Sequence, residues 1–173
     1  MNGLKRTPAQ IKERQQLCRD LSDIIHIHED GESLLETVLD DLNGEYSIVI
    51  FDAALEKQVL EALATQFPAY KDAIAACVSR IVDIAPLFTK YQIMLPGMNG
   101  KASMKAILPC LSTDTTYDPL EVKSGFDAMA AYKQLRYQPQ ASRETIKEQL
   151  CDYCRVDTRG LGLVTKAVLQ NRF

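Results

Sequence analysis

Residues 46–51 read Tyr-Ser-Ile-Val-Ile-Phe, a nearly continuous apolar run closed at once by Asp52. A run of this length, rich in β-branched residues and bounded by polar ones, is the pattern of a strand covered on both faces, as in a parallel sheet. Downstream, Leu55, Val59, Leu60 and Leu63 recur at helical spacing from about Ala53 to the Phe67-Pro68 stop. A second helical stretch over residues 69–80 then leads into Ile81-Val82-Asp83-Ile84, a short strand that turns at Asp83. Strand, helix and strand in this order predict a right-handed βαβ crossover and an α/β domain.

Upstream, Leu34, Leu35, Val38, Leu39 and Leu42 share one face of a helix that Asn43-Gly44 stops. Residues 24–28, Ile-Ile-His-Ile-His, read as a short strand, with His26 and His28 on one polar face. Residues 1–22 form a mostly polar N-terminal helix, and residues 23–173 the remainder of the fold. Beyond Ile84, a helix is expected around residues 86–90 and a Pro/Gly loop over 95–101. Ser103 then opens a helix through Leu108, and Ser124 with Asp127 forms the capping-box spacing in front of another that Pro139 closes. From Ser142 a long helix runs towards Gln170.

At 173 residues, with 46% hydrophobic and 25% charged residues, the chain is globular in composition. A formal charge of -3 argues against a broad electrostatic grip on nucleic acid and leaves room for a local basic groove. No apolar run approaches a membrane span, and five scattered cysteines do not make a secreted disulfide framework. The reading is a cytoplasmic protein with reduced thiols and no membrane partner. Cys151 and Cys154 form a lone C-x-x-C without a second ligand pair, and Met94, Met98, Met104 and Met129 read as gap-filling residues.

Chemistry is expected at two places. In the long helix, Ile146, Leu150, Tyr153, Asp157, Leu161, Val164 and Val168 fall within an arc of roughly 80°, which sets Asp157 in a core-facing stripe and demands a polar partner for it. At the carboxyl end of the first strand, Asp52 and Glu56 lie where open α/β sheets place their ligands. Asp52 also reads as an N-cap, and Glu56 as a first-turn acid favoured by the helix dipole.

Taken in order, these segments resemble the DEDD-type 3′-to-5′ exonucleases of the ribonuclease-H-like superfamily. Residues 48–57 (IVIFDAALEK) are similar to the second acidic motif of those enzymes, and Tyr153 with Asp157 matches the Tyr-x-x-x-Asp form of the third. Residues 80–88 and 100–109 resemble their Asp-bearing strand end and Ser-x-Lys helix start. The stretch from about Tyr46 to Val168 looks like the latter part of an uncharacterised bacterial domain family of this type.

The resemblance implies a ribonuclease-H-like fold with a short, incomplete sheet and a long C-terminal helix. It also implies phosphodiester hydrolysis with two Mg²⁺ or Mn²⁺ ions. On that basis Glu56, Asp157 and Tyr153 are the catalytic candidates, with Glu56, Asp157 and Asp52 as metal carboxylates. Ser103, Lys105 and Asp83 are assigned to substrate, and the partner is a nucleic acid 3′ end.

The first motif of the family, Asp-x-Glu in a central strand, has no counterpart, and Asp52 and Glu56 stand where the second motif usually has Asn and Asp. A chain carrying only part of the domain and a degenerate relative both fit this pattern, and either leaves the chain inactive by itself. The alternative is a non-catalytic module that binds nucleic acid or protein on the same fold. An uncovered strand edge would invite a second copy or an upstream segment. The folded chain is further expected to bring the Glu56 and Asp157 carboxylates to one cavity.

Overall fold

The computed structural model describes residues 31–135 and 137–171. The expected helix over 1–22, the strand over 24–28 and its two histidines lie outside the described residues. The fold is mixed α/β, in two compact units that divide between Ile84 and Ala85.

The first unit contains α1 (Gly31–Asp41), β1 (Ile48–Ile50), α2 (Ala54–Gln66), a 3-10 turn (Pro68–Tyr70), α3 (Lys71–Ser79) and β2 (Ile81–Asp83). The strands pair in parallel, Ile48 with Ile81, Val49 with Val82 and Ile50 with Asp83, so the expected βαβ order is present. Among the described residues the sheet has these two strands. β1 is half the length of the apolar run. The extended backbone ends at Ile50 because Asp52 takes φ 68°, a left-handed conformation that breaks the strand.

Arg80 ties the unit together. Its guanidinium donates to the Leu42 carbonyl at 2.5 Å and the Tyr46 carbonyl at 3.1 Å, and stacks 5.4 Å from the Tyr46 ring centroid. The Leu42 carbonyl just past the end of α1 and the Tyr46 carbonyl just before β1 are thus both held from the end of α3. Beside this clamp Tyr70 donates its hydroxyl to both Glu32 and Glu36 of α1, and these acceptors push the phenol pKa well above its ordinary value.

The second unit contains α4 (Ala85–Thr89), α5 (Met104–Leu111), α6 (Gly125–Leu135) and α7 (Gln140–Leu169). α7 packs against both α5 and α6. Its tightest approach is at Gly160, where an added Cβ would stand 2.9 Å from Leu108 Cδ2 and 3.3 Å from Met104 Cε. Phe88, Ile107, Leu108 and Val164 are the most deeply buried large side chains here. α7 begins at Gln140, directly after Pro139, two residues earlier than its Ser142 start was expected. Proline has no N–H to leave unpaired at such a boundary. Among the described residues no helix is long and apolar enough to cross a membrane.

Candidate functional site

The second unit gathers a polar cluster around Tyr117, a residue in the loop between α5 and α6. Tyr117 is buried, and its hydroxyl donates to Asp157 Oδ1 at 2.6 Å. The Tyr153 ring, one helical turn before Asp157, lies 6.1 Å from the Tyr117 ring, tilted by 47°. On another side Lys105, in the first turn of α5, holds its ammonium 5.8 Å from the Tyr117 ring centroid. Tyr153 Oη also lies 3.9 Å from where a Cβ on Gly125 would be, at the start of α6. Ser124 caps that helix, accepting from the Asp127 N–H at 3.1 Å and donating to Asp127 Oδ2 at 2.7 Å.

Burial pushes the Tyr117 phenol far above its ordinary pKa, and the bond to Asp157 adds to the rise, since an ionised phenolate there would face a carboxylate. Tyr153 is pushed up to about 12, chiefly by burial and then by the Asp157 charge. Partial desolvation likewise raises the Cys154 thiol, with Asp157 contributing. The Ser124 hydroxyl, together with backbone donors and the Lys105 charge, holds the Asp127 carboxyl below its usual range. Both tyrosines therefore stay protonated near neutral pH, as hydroxyl donors beside one carboxylate.

Asp157 does not sit mid-stripe in the core. The buried positions of α7 are Gly160, Val164 and Ala167, and Asp157 is exposed on the flank of that stripe. α7 meets α5 closely at Gly160, so the tight packing runs through a glycine rather than through the larger apolar positions. The demand for a polar partner is met by Tyr117, a residue the periodicity of the sequence gives no reason to choose.

At the end of β2 the Asp83 carboxylate accepts the Asp52 N–H at 2.9 Å through Oδ1 and the Ala53 N–H at 3.1 Å through Oδ2. Both oxygens thus hold the turn that leads from β1 into α2. Asp52 is therefore not the N-cap of α2. Its left-handed backbone delivers its N–H to Asp83, and Ala53 occupies the cap position without a side-chain bond. Glu56 lies in the first turn of α2, half-buried at the rim of an apolar cavity of about 510 Å³ whose walls include Leu35, Val38, Ile50 and Leu60. Ser103 takes the N-cap position of α5 in extended conformation, but its hydroxyl makes no capping bond. Its carbonyl accepts the Ala106 and Ile107 N–H groups.

Three candidates, Tyr153, Asp157 and Lys105, thus meet in one cluster of the second unit, with Ser103 two residues from Lys105. Glu56, Asp52 and Asp83 belong to the first. Among the described residues no group of three or more His, Cys, Asp or Glu side chains is arranged to hold a metal ion.

A family model described as Domain of unknown function (DUF2779) matches residues 5–103, more than half of the chain. The chain belongs to that family. The match takes in all the described elements of the first unit and reaches the N-cap of α5, so the DUF2779 span includes Asp52, Glu56, Asp83 and Ser103. Lys105, Tyr117, Tyr153 and Asp157 lie beyond it. No curated protein and no solved structure matches the chain.

Proposed function

We propose that this DUF2779 chain is a nuclease-family domain of 3′-to-5′ exonuclease type that binds the 3′ end of a single-stranded nucleic acid and, with these residues, does not turn it over. The observation that carries the reading is the placement of Tyr153 and Asp157 one turn apart on α7, with the Tyr117 hydroxyl on Asp157 and the Lys105 ammonium beside Tyr117. The Tyr153 hydroxyl as donor, the Asp157 carboxylate that Tyr117 holds in place and the Lys105 cation suit a phosphodiester and a terminal sugar hydroxyl, whose needs are donors to the phosphate oxygens and an acceptor for the hydroxyl proton.

Complete enzymes of this type use Mg²⁺ or Mn²⁺, and Glu56 and Asp157 are the carboxylates the resemblance assigns to such ions. Asp83 also has a structural task, since both of its oxygens accept backbone N–H groups. The sequence has no Asp-x-Glu first motif within a strand to supply the remaining metal carboxylates, and that supports binding without cleavage.

Comparing a linear oligonucleotide that carries a 5′-phosphate with its circularised form tests the end preference, because the number of phosphates is equal and the free ends are what differ. Tighter binding of the linear strand, with the difference lost in Asp157→Ala, is expected. Equal binding of the two forms contradicts the reading.

A further inference from the structure

Residues 91–102 of the segment joining α4 to α5 are not used by the site above, and they lie in a stretch that carries cations without acids. Between Asp83 and Asp114 the sequence carries Lys90, Lys101 and Lys105 and no Asp or Glu, in a chain whose formal charge is -3. Within this stretch residues 91–102 enclose a cavity of about 250 Å³ lined by Tyr91, Met94, Leu95, Met98, Asn99 and Lys101 among others. Two of the large exposed apolar side chains of the protein, Tyr91 at 52% and Met94 at 67%, face this one cavity.

The loop is built rather than loose. Tyr91 N–H donates to the Phe88 carbonyl at 3.1 Å, Ile93 N–H to Leu87 at 2.9 Å and Lys101 N–H to Met98 at 2.9 Å. The buried Met98 thioether accepts the Leu95 N–H at 3.3 Å. Tyr91 itself has φ 57°, a conformation a bulky L residue rarely adopts, and Asn99 and Gly100 also have positive φ. Such strain persists where the surroundings over-determine it, and here its effect is to hold an aromatic ring at the mouth of a small cavity.

We infer that residues 91–102 form a base-stacking subsite for single-stranded nucleic acid, with a nucleobase on the Tyr91 ring against Met94 and the adjoining phosphate at Lys101. The inference rests on the nucleic-acid reading above and extends it to a second contact. The cavity is smaller than the roughly 300–1,000 Å³ typical of sites for drug-sized ligands, which suits one flat ring. An aromatic face beside lysines, with no acid nearby in sequence, matches the combination of stacking and phosphate attraction by which single strands are held. Lys105, four residues beyond Lys101 in sequence, stands beside Tyr117.

The test measures binding of the full-length chain to a fluorescent oligothymidylate and to an abasic oligomer of the same length, by anisotropy at several salt concentrations. Tyr91→Ala is expected to weaken the base-bearing strand by about 5- to 100-fold, as one lost stacking contact implies, and to leave the abasic strand unchanged. Tyr91→Phe keeps the ring and is expected to keep the affinity, while Lys101→Gln lowers the salt dependence by about one phosphate for both strands. Melting curves of each variant confirm that it is folded. If the oligothymidylate binds and Tyr91→Ala does not weaken it, the subsite is overturned while the nucleic-acid reading stands. Absence of any oligonucleotide binding by the wild-type chain removes both.

Discussion

Tyr117 Oη and Asp157 Oδ1 are 2.6 Å apart, a length typical of a hydroxyl donating to a charged oxygen, and the bond joins the α5–α6 loop to the middle of α7. It gives the exposed carboxylate a fixed direction. Removing the hydroxyl with Tyr117→Phe leaves the ring packing in place and is expected to cost about 1–2 kcal/mol, the range for a hydrogen bond to a charged group with a partly solvated partner. Asp157→Asn keeps an acceptor for the same hydroxyl and is expected to cost less than about 1 kcal/mol. Urea unfolding of the two variants checks the order, and a larger loss for Asp157→Asn contradicts it.

Asp83 uses both carboxylate oxygens as acceptors for backbone N–H groups. Asparagine offers one oxygen and would set its NH₂ against the other N–H. Asp83→Asn is therefore expected to destabilise by about 1–3 kcal/mol, the cost of stranding a partly buried donor. Chemical denaturation followed by circular dichroism measures it. A change below about 0.5 kcal/mol would show that water replaces the lost acceptor.

Two glycines of α7 separate packing from helix propensity. An alanine at Gly162 meets nothing within 4 Å and is expected to stabilise by about 0.5–1 kcal/mol through propensity alone. The same change at Gly160 drives a methyl to 2.9 Å from Leu108, a fully buried side chain with little room to move. Overpacking of this kind costs about 1–3 kcal/mol, enough to reverse the propensity gain. Melting temperatures should move in opposite directions for the two variants.

The raised tyrosine pKa values give a signed pH dependence. Below about pH 10 Tyr153 is protonated in both folded and unfolded chains, and stability is independent of it. Above that, the unfolded phenol ionises while the folded one holds its proton until about 12, so stability falls across that window. Tyr117 acts in the same direction. Thermal melts from pH 8 to 11 should show a decline that is shallower in Tyr153→Phe and in Tyr117→Phe. Parallel curves for wild type and both variants would contradict the raised phenol pKa values.

The βαβ unit was legible because residues 46–51 and 81–84 are short apolar runs separated by two helical patterns. Their actual strand lengths were not, since the left-handed turn at Asp52 is imposed by Asp83, a contact made across 31 positions of sequence. That Tyr153 and Asp157 lie one turn apart on one long helix was legible from the apolar periodicity of residues 146–168. Tyr117 was not, because a single aromatic in the loop Thr-Thr-Tyr-Asp-Pro carries no periodicity, and only the packing of α7 shows that it faces Asp157. The division after Ile84 had no linker composition to announce it, as β2 passes almost directly into α4.

The central claim is binding at a nucleic acid 3′ end without turnover, and the most direct test follows a 5′-labelled single strand with the purified chain in Mg²⁺ or Mn²⁺, by anisotropy and by denaturing gel on the same samples. The result expected is a salt-sensitive complex whose strand stays at full length. A ladder of products shortened from the 3′ end and abolished by Asp157→Ala would contradict the claim of no turnover, and a strand that stays full length and unbound would contradict the claim of binding.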